Sequence, residues 1–152
     1  MGIRTSRGRL VAVIEIVSPG NKDRSHSIRS LIDKTPAFLA RGVHVLVVDV
    51  FPPTPRDPNS LHRAIWDDVR EDTFVPPRDR PLTLASHVGA QEYTAYVESV
   101  AIGAPPPDMP LFLDTLTYVK TPLERSYEQT WGKAPAEFRE MVLHPEQFPD
   151  AD

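Results

Sequence analysis

Two acids stand where acids are costly to place. Glu15 lies inside the apolar run Arg9-Leu-Val-Ala-Val-Ile-Glu-Ile-Val17, and Asp49 inside Val43-His-Val-Leu-Val-Val-Asp-Val50. An ionised carboxylate removed from water needs a partner. Each acid is seventh from the start of its run. If the runs are parallel strands, both acids lie near the carboxyl ends, and ligands of open α/β sheets bind outside that edge. Asn21, Lys22, Asp23 and Arg24 leave the first run at the same edge. Two carboxylates and a lysine there could hold Mg²⁺ or Mn²⁺, ions that suit carboxylate and water oxygens. A metal so held could activate water and stabilise a phosphoryl transition state. The same residues admit a second reading, in which Glu15 and Asp49 are buried acids satisfied by Lys22, Arg24 or backbone amides.

The elements that would position these groups follow from the two runs. Each is continuous in β-branched and apolar residues, the pattern of a strand covered on both faces. Ser18-Pro19-Gly20-Asn21 ends the first with turn chemistry. A helix begins near Ser25 or Ser27, with Ile28, Leu31, Ile32 and Leu39 on one stripe. Pro36 removes a backbone donor, so a kink or break is expected there, with Thr35 capping the second piece. Gly42 suits the position just past the helix end. Strand, helix and strand with short joints make a βαβ unit with parallel strands.

Further along, Asn59 is placed to cap a helix through Leu61, Ile65, Trp66 and Val69. Residues 82–88 and 93–102 read as strands that neighbour one another. Thr121-Pro122-Leu123-Glu124 has the form of a capping box. The helix it opens would bury Leu123, Tyr127 and Trp131 and stop at Gly132. A last helix over 135–143 would turn Phe138, Met141 and Val142 inward, and the tail after His144 would fray. The fold class expected is α/β: one domain over 1–152, with a mixed sheet around two parallel strands and flanking helices.

Other residues carry less chemistry. His26, Arg24 and Arg29 near the helix start could contact an anion, and equally form a solvated face. His44 reads as a strand residue with a satisfied ring. His62, His87 and His144 show no metal-ligand spacing. Ser18 lacks the Gly-x-Ser-x-Gly elbow, and no glycine-rich nucleotide loop occurs. Trp66, Trp131 and Tyr127 read as core.

Composition narrows the classes. The chain has 152 residues, no cysteine and a net charge of −4. Disulfides, thiolate metal sites and cysteine nucleophiles are therefore absent. The acidic balance does not support a general grip on nucleic acid, although a local basic patch stays compatible with it. No apolar run approaches the roughly 20 residues a membrane span needs, and the N-terminal arginines adjoin no signal-peptide pattern, since Glu15 interrupts the apolar segment after Arg9, so a cytoplasmic location is expected. Prolines number seventeen, about twice the usual share, and eleven of them cluster at 52–58, 76–81 and 105–110 as ordered connectors or exposed loops.

Four ordered segments carry a resemblance. Val11-Ala-Val-Ile-Glu-Ile-Val-Ser-Pro-Gly-Asn-Lys22, Gly42-Val-His-Val-Leu-Val-Val-Asp49, Gly103-Ala-Pro-Pro-Pro-Asp-Met-Pro-Leu-Phe-Leu113 and Val119-Lys-Thr-Pro-Leu-Glu-Arg-Ser-Tyr127 look like an uncharacterised bacterial family. That family is the domain of unknown function numbered four thousand and fifty-eight, and it has no established activity. The strand-Glu-x-x-Ser-Pro segment also resembles restriction-endonuclease-like domains of the PD-(D/E)XK superfamily. There an upstream Asp and a Glu-x-Lys strand bind metal and activate water. Only Glu15 matches by position: two residues on stands Val17, so Lys22 would have to serve, and no Asp precedes Glu15. The resemblance implies an N-terminal segment that this chain lacks. It also implies a degenerate, non-catalytic binding module, or alternatively a metal-dependent nuclease using Glu15, Asp49 and Lys22. A chain entering a buried strand so early should leave an exposed edge or apolar patch, and a homodimer would cover it.

Overall fold

The two apolar runs pair side by side. In the computed structural model, which describes residues 1–23, 25–67 and 74–147, β1 (Gly2–Arg4) and β2 (Leu10–Ile16) precede the helices α1 (Pro19–Asp23) and α2 (Ser25–Leu39) and strand β3 (His44–Asp49). Strands β2 and β3 are parallel, with Ala12 opposite His44 and Glu15 opposite Val47. After α3 (Leu61–Asp67) come β4 (Leu82–Val88) and β5 (Thr94–Val100), each antiparallel to its predecessor. The sheet order is β1-β2-β3-β4-β5. Strands β6 (Met109–Phe112) and β7 (Tyr118–Thr121) form a separate hairpin, followed by α4 (Leu123–Lys133) and α5 (Ala136–Leu143). The mixed sheet around two parallel strands is thus as expected.

Both sheet faces are covered, which is why β2 and β3 read as continuous apolar runs. On one face Val17, Val45 and Val47 pack against Ile28, Leu31, Ile32 and Leu39 of α2 and Leu61 and Ile65 of α3. On the other, Ala12, Ile14, Leu46 and Leu84 pack against Met109 and Leu111 of the hairpin. Strand β1 corrects one expectation. It pairs antiparallel with β2, and the Met1 ammonium donates to the Ile14 carbonyl at 2.7 Å, so β2 is an interior strand rather than a bare edge.

Local chemistry departs from expectation at several points. Helix α2 runs unbroken through Pro36. Thr35, fully buried, donates its hydroxyl back to the Leu31 carbonyl at 3.3 Å instead of opening a second helix. The buried stripe on both sides of Pro36 outweighs the one lost backbone bond. The helix ends as Gly42 predicts. Gly42 has φ +68 and donates to Leu39, and Val43 donates to Phe38, the bond pattern of a Schellman motif. Ser60, at φ +82, takes the place expected of Asn59 ahead of α3. Its hydroxyl accepts from the Arg63 N–H at 3.4 Å. Val69 lies outside the described residues.

The C-terminal arm differs most. Thr121 is not a cap: the residue ahead of α4 is Pro122, no side chain caps the helix, and the buried Thr121 hydroxyl has no partner. Strand β7 runs through Thr121, and extended pairing holds the hydroxyl away from the helix amides. Neither α4 nor α5 buries a residue. Tyr127 is 61% exposed and stacks on Trp131, and Phe138, Met141 and Val142 face outward. Helix α4 runs one residue past Gly132. Residues Pro145–Gln147 form a 3-10 turn, and the rest of the tail lies outside the described residues.

Candidate functional site

Lys22 is the centre of the site, and α1 puts it there. Ser18 and Pro19 open this short helix, and the Asn21 side chain accepts from both the backbone N–H and the hydroxyl of Ser18 at 2.8 Å. That is the return half of a capping box. Lys22, expected in a loop, therefore projects from the last turn of a helix. Its ammonium is 3% exposed and lies 2.8 Å from Asp49 Oδ2 and 2.9 Å from Asp57 Oδ2. It also donates to the carbonyls of Phe51 at 2.8 Å and Pro52 at 3.2 Å. Four oxygens thus surround three ammonium hydrogens.

The proline-rich segment after β3 supplies half of this cage. Asp57 Oδ1 accepts from the Thr54 N–H at 2.8 Å and the Thr54 hydroxyl at 2.5 Å, while the Ser60 N–H donates to the Asp57 carbonyl. Asp57 is thereby a turn hub whose second oxygen faces Lys22. The sequence signal for it was an acid inside a proline cluster, Thr54-Pro-Arg-Asp57, a turn motif more than a charge motif. Burial pushes the Asp49 carboxyl above its ordinary range, against the pull of Lys22 and of a bond from the Phe51 N–H. Asp57, a second nearby carboxylate, adds to the upward push. Thr83, opposite Asp49 on β4, holds a buried hydroxyl without a partner.

Glu15 belongs to the same sheet face but not to the cage. Because β2 starts earlier against β3, Glu15 aligns with Val47, and Asp49 lies one pleat further along. That is a step of about 7 Å, so the equal depth inferred from counting does not hold. Glu15 pairs instead with Lys34 of α2 at 2.9 Å, where the side chains are 19% and 42% exposed. The three sequence candidates are therefore split: Lys22 and Asp49 meet, and Glu15 has its own cation. Among the described residues no three His, Cys, Asp or Glu side chains are grouped as a metal site.

His44, His62 and His87 are buried in the fold. His44 Nδ1 accepts from the Gly89 N–H at 3.2 Å, so its ring is satisfied, as expected, and burial lowers its pKa. Gly89 sits so close to α2 that a Cβ would come within 2.7 Å of the Leu39 carbonyl oxygen. His87 is fully buried beside His62 and Trp66, and neither of its ring nitrogens has a partner. Burial, aided by His62, pushes its pKa down to about 3. His26 and Arg29 are exposed on α2, while Arg24 lies outside the described residues.

The other face of the same sheet edge is apolar. Ile16, Val48 and Val50, alternating with Glu15 and Asp49, floor a groove of about 700 Å³ walled by Pro105, Leu123 and Tyr127. Tyr127, expected in the core, is a groove wall instead, because an apolar stripe in sequence does not distinguish the two. No described helix is long and apolar enough to cross a membrane. Neither a family model, nor a curated protein, nor a solved structure matches this chain.

Proposed function

We propose that this chain is a non-catalytic binding or interaction module, a degenerate member of the restriction-endonuclease-like class that works in the cytoplasm. The observation that carries this reading is the engagement of Lys22. Its ammonium is held by Asp49, Asp57 and two carbonyls, so it offers no free proton donor for a leaving oxygen and no open coordination edge at Asp49. The two ion pairs from Lys22 pin the Pro-rich segment to the end of β3. The resemblance to the uncharacterised bacterial family belongs to the same proposal and agrees with it, since that family carries no established activity. Recognition then falls to surfaces other than the cage, the apolar groove first among them.

A second reading keeps the metal-dependent phosphodiesterase or nuclease using Glu15, Asp49 and Lys22 with Mg²⁺ or Mn²⁺. One observation favours it: Glu15 and Asp49 face the same side of the sheet near its carboxyl edge. A metal there would have to displace both Lys22 and Lys34. Thermal unfolding in Mg²⁺ and Mn²⁺ separates the readings. The module predicts an unmoved melting temperature. The enzyme predicts a rise by mass action that Glu15→Gln removes, together with phosphodiester cleavage lost in the same variant.

A further inference from the structure

We infer that two copies of this chain form a two-fold dimer in which α5 of each lies in the apolar groove of the other. The inference deepens the module reading and rests on it. The groove and the helix are complementary features of one molecule, and both present exposed apolar side chains. Ile16 and Val50 on the groove floor are 72% and 41% exposed, and Tyr127 on its wall is 61% exposed. Phe138, Met141 and Val142, at the i, i+3, i+4 spacing of a groove-binding helix, are 59%, 40% and 66% exposed. An isolated helix as short as α5 is unstable in water, and α5 buries nothing within its own chain.

No residue of α5 lines its own groove. Helix α4 supplies the groove wall from Leu123 to Thr130, and α5 follows after only Ala134 and Pro135, both extended at ψ 139 and 142. A joint of two residues limits how far α5 can swing back over α4. A second copy supplies the same helix without the constraint. Two-fold symmetry makes the contact isologous, so each copy gives one helix and one groove and the assembly closes.

Area supports this occupant. The six side chains named, each half-exposed, would bury on the order of 100 Å² apiece, judged from the 150–250 Å² of a whole aromatic side chain. Counted on both copies this gives roughly 1,200 Å², the lower bound of stable interfaces. Area alone does not set the affinity of such a contact; packing quality and preorganisation do.

Light scattering on the full chain tests this. A mass of twice 17.0 kDa is expected as the concentration is raised to about 100 µM, where even a weak dimer is populated. Phe138→Glu on the helix and Val50→Glu on the groove floor should each give monomer, with the melting temperature of a folded domain retained. Since the chain has no cysteine, Val50→Cys and Val142→Cys can each be introduced singly. Oxidising their mixture should give a disulfide between the two variants in excess over self-linked species, which identifies helix in groove even if a glutamate variant misfolds. A monomer throughout that range, a dimer that survives both glutamate variants, or the lack of the mixed disulfide would overturn the inference. A melting shift in Mg²⁺ or Mn²⁺ would instead overturn the module reading, and the two failures are read on different instruments.

Discussion

Asp49 and Glu15 are the same chemical anomaly on one sheet face, and the fold resolves them in opposite ways. Asp49 is shut in with Lys22, both about 3% exposed. Glu15 lies one pleat nearer the strand's start and reaches Lys34 at the edge of α2, half in water. The difference comes from what covers each position. The Pro-rich segment closes over Asp49 and brings Asp57 with it, whereas Glu15 reaches a partly exposed lysine of α2. An acid inside an apolar run therefore does not by itself mark a reactive group. The enclosure around it decides whether its charge is structural, and how strongly.

The sharpest way to break this comparison is Lys22→Met. It strips the ammonium from two enclosed carboxylates and two carbonyls, and an uncompensated buried charge costs about 3–5 kcal/mol. Chemical denaturation should show a loss of that size. Asp49→Asn should cost less, about 1–2 kcal/mol, the range for a lost buried polar partner, because Asp57 still balances Lys22. Equal losses for the two variants would mean that the cage does not carry the excess of negative charge its two carboxylates imply.

His87 is the control for burial without a partner. Its folded pKa of about 3 lies below the value near 6.5 of an exposed imidazole. The unfolded chain therefore takes up a proton on His87 between those values and the folded chain does not. Stability is fully present above pH 6.5 and falls as the pH drops toward 3, with a slope approaching 1.4 kcal/mol per pH unit. His87→Leu should flatten that acid limb. Asp49 has the opposite sign. Its carboxyl is raised by burial, so its share of stability is present below the ordinary carboxylate pKa and is lost as pH rises through the raised value. Comparing the acid limbs of His87→Leu and Asp49→Asn separates the two.

How legible each region was in the sequence follows from how it is covered. The βαβ unit was readable because burial on both faces leaves unbroken apolar runs, and the Gly42 terminus because only a left-handed residue fits there. Strands β4 and β5 were readable from their length and alternation. Register was not readable: counting from each run's start missed the two-residue offset by which β2 precedes β3, because nothing in a run records its neighbour. Thr121-Pro-Leu-Glu124 had every residue of a cap, yet β7 claims Thr121. Thr121→Val should therefore be nearly neutral or slightly stabilising in denaturation, since it removes a buried hydroxyl that has no partner. The apolar stripes of α4 and α5 were real, but a stripe does not say whether its cover lies in the same chain. Of the candidate site, Lys22 and Asp49 were found and Asp57 was missed, because its role comes from a turn that brings a remote acid back to the strand end.

The smallest expected effect lies at the exposed end of the comparison. Lys34→Met removes the partner of Glu15, yet Glu15 keeps access to water and Lys34 is 42% exposed. Exposed pairs contribute about 0–1 kcal/mol, and salt screens them. Denaturation midpoints of the wild type and Lys34→Met should therefore differ slightly at low ionic strength and converge as salt is added. The gap between wild type and Lys22→Met should persist in the same salt, because the cage excludes the screening ions. If Lys34→Met costs as much as Lys22→Met, or its cost ignores salt, then Glu15 is enclosed in solution. The contrast between an enclosed Asp49 and an open Glu15 would then fail.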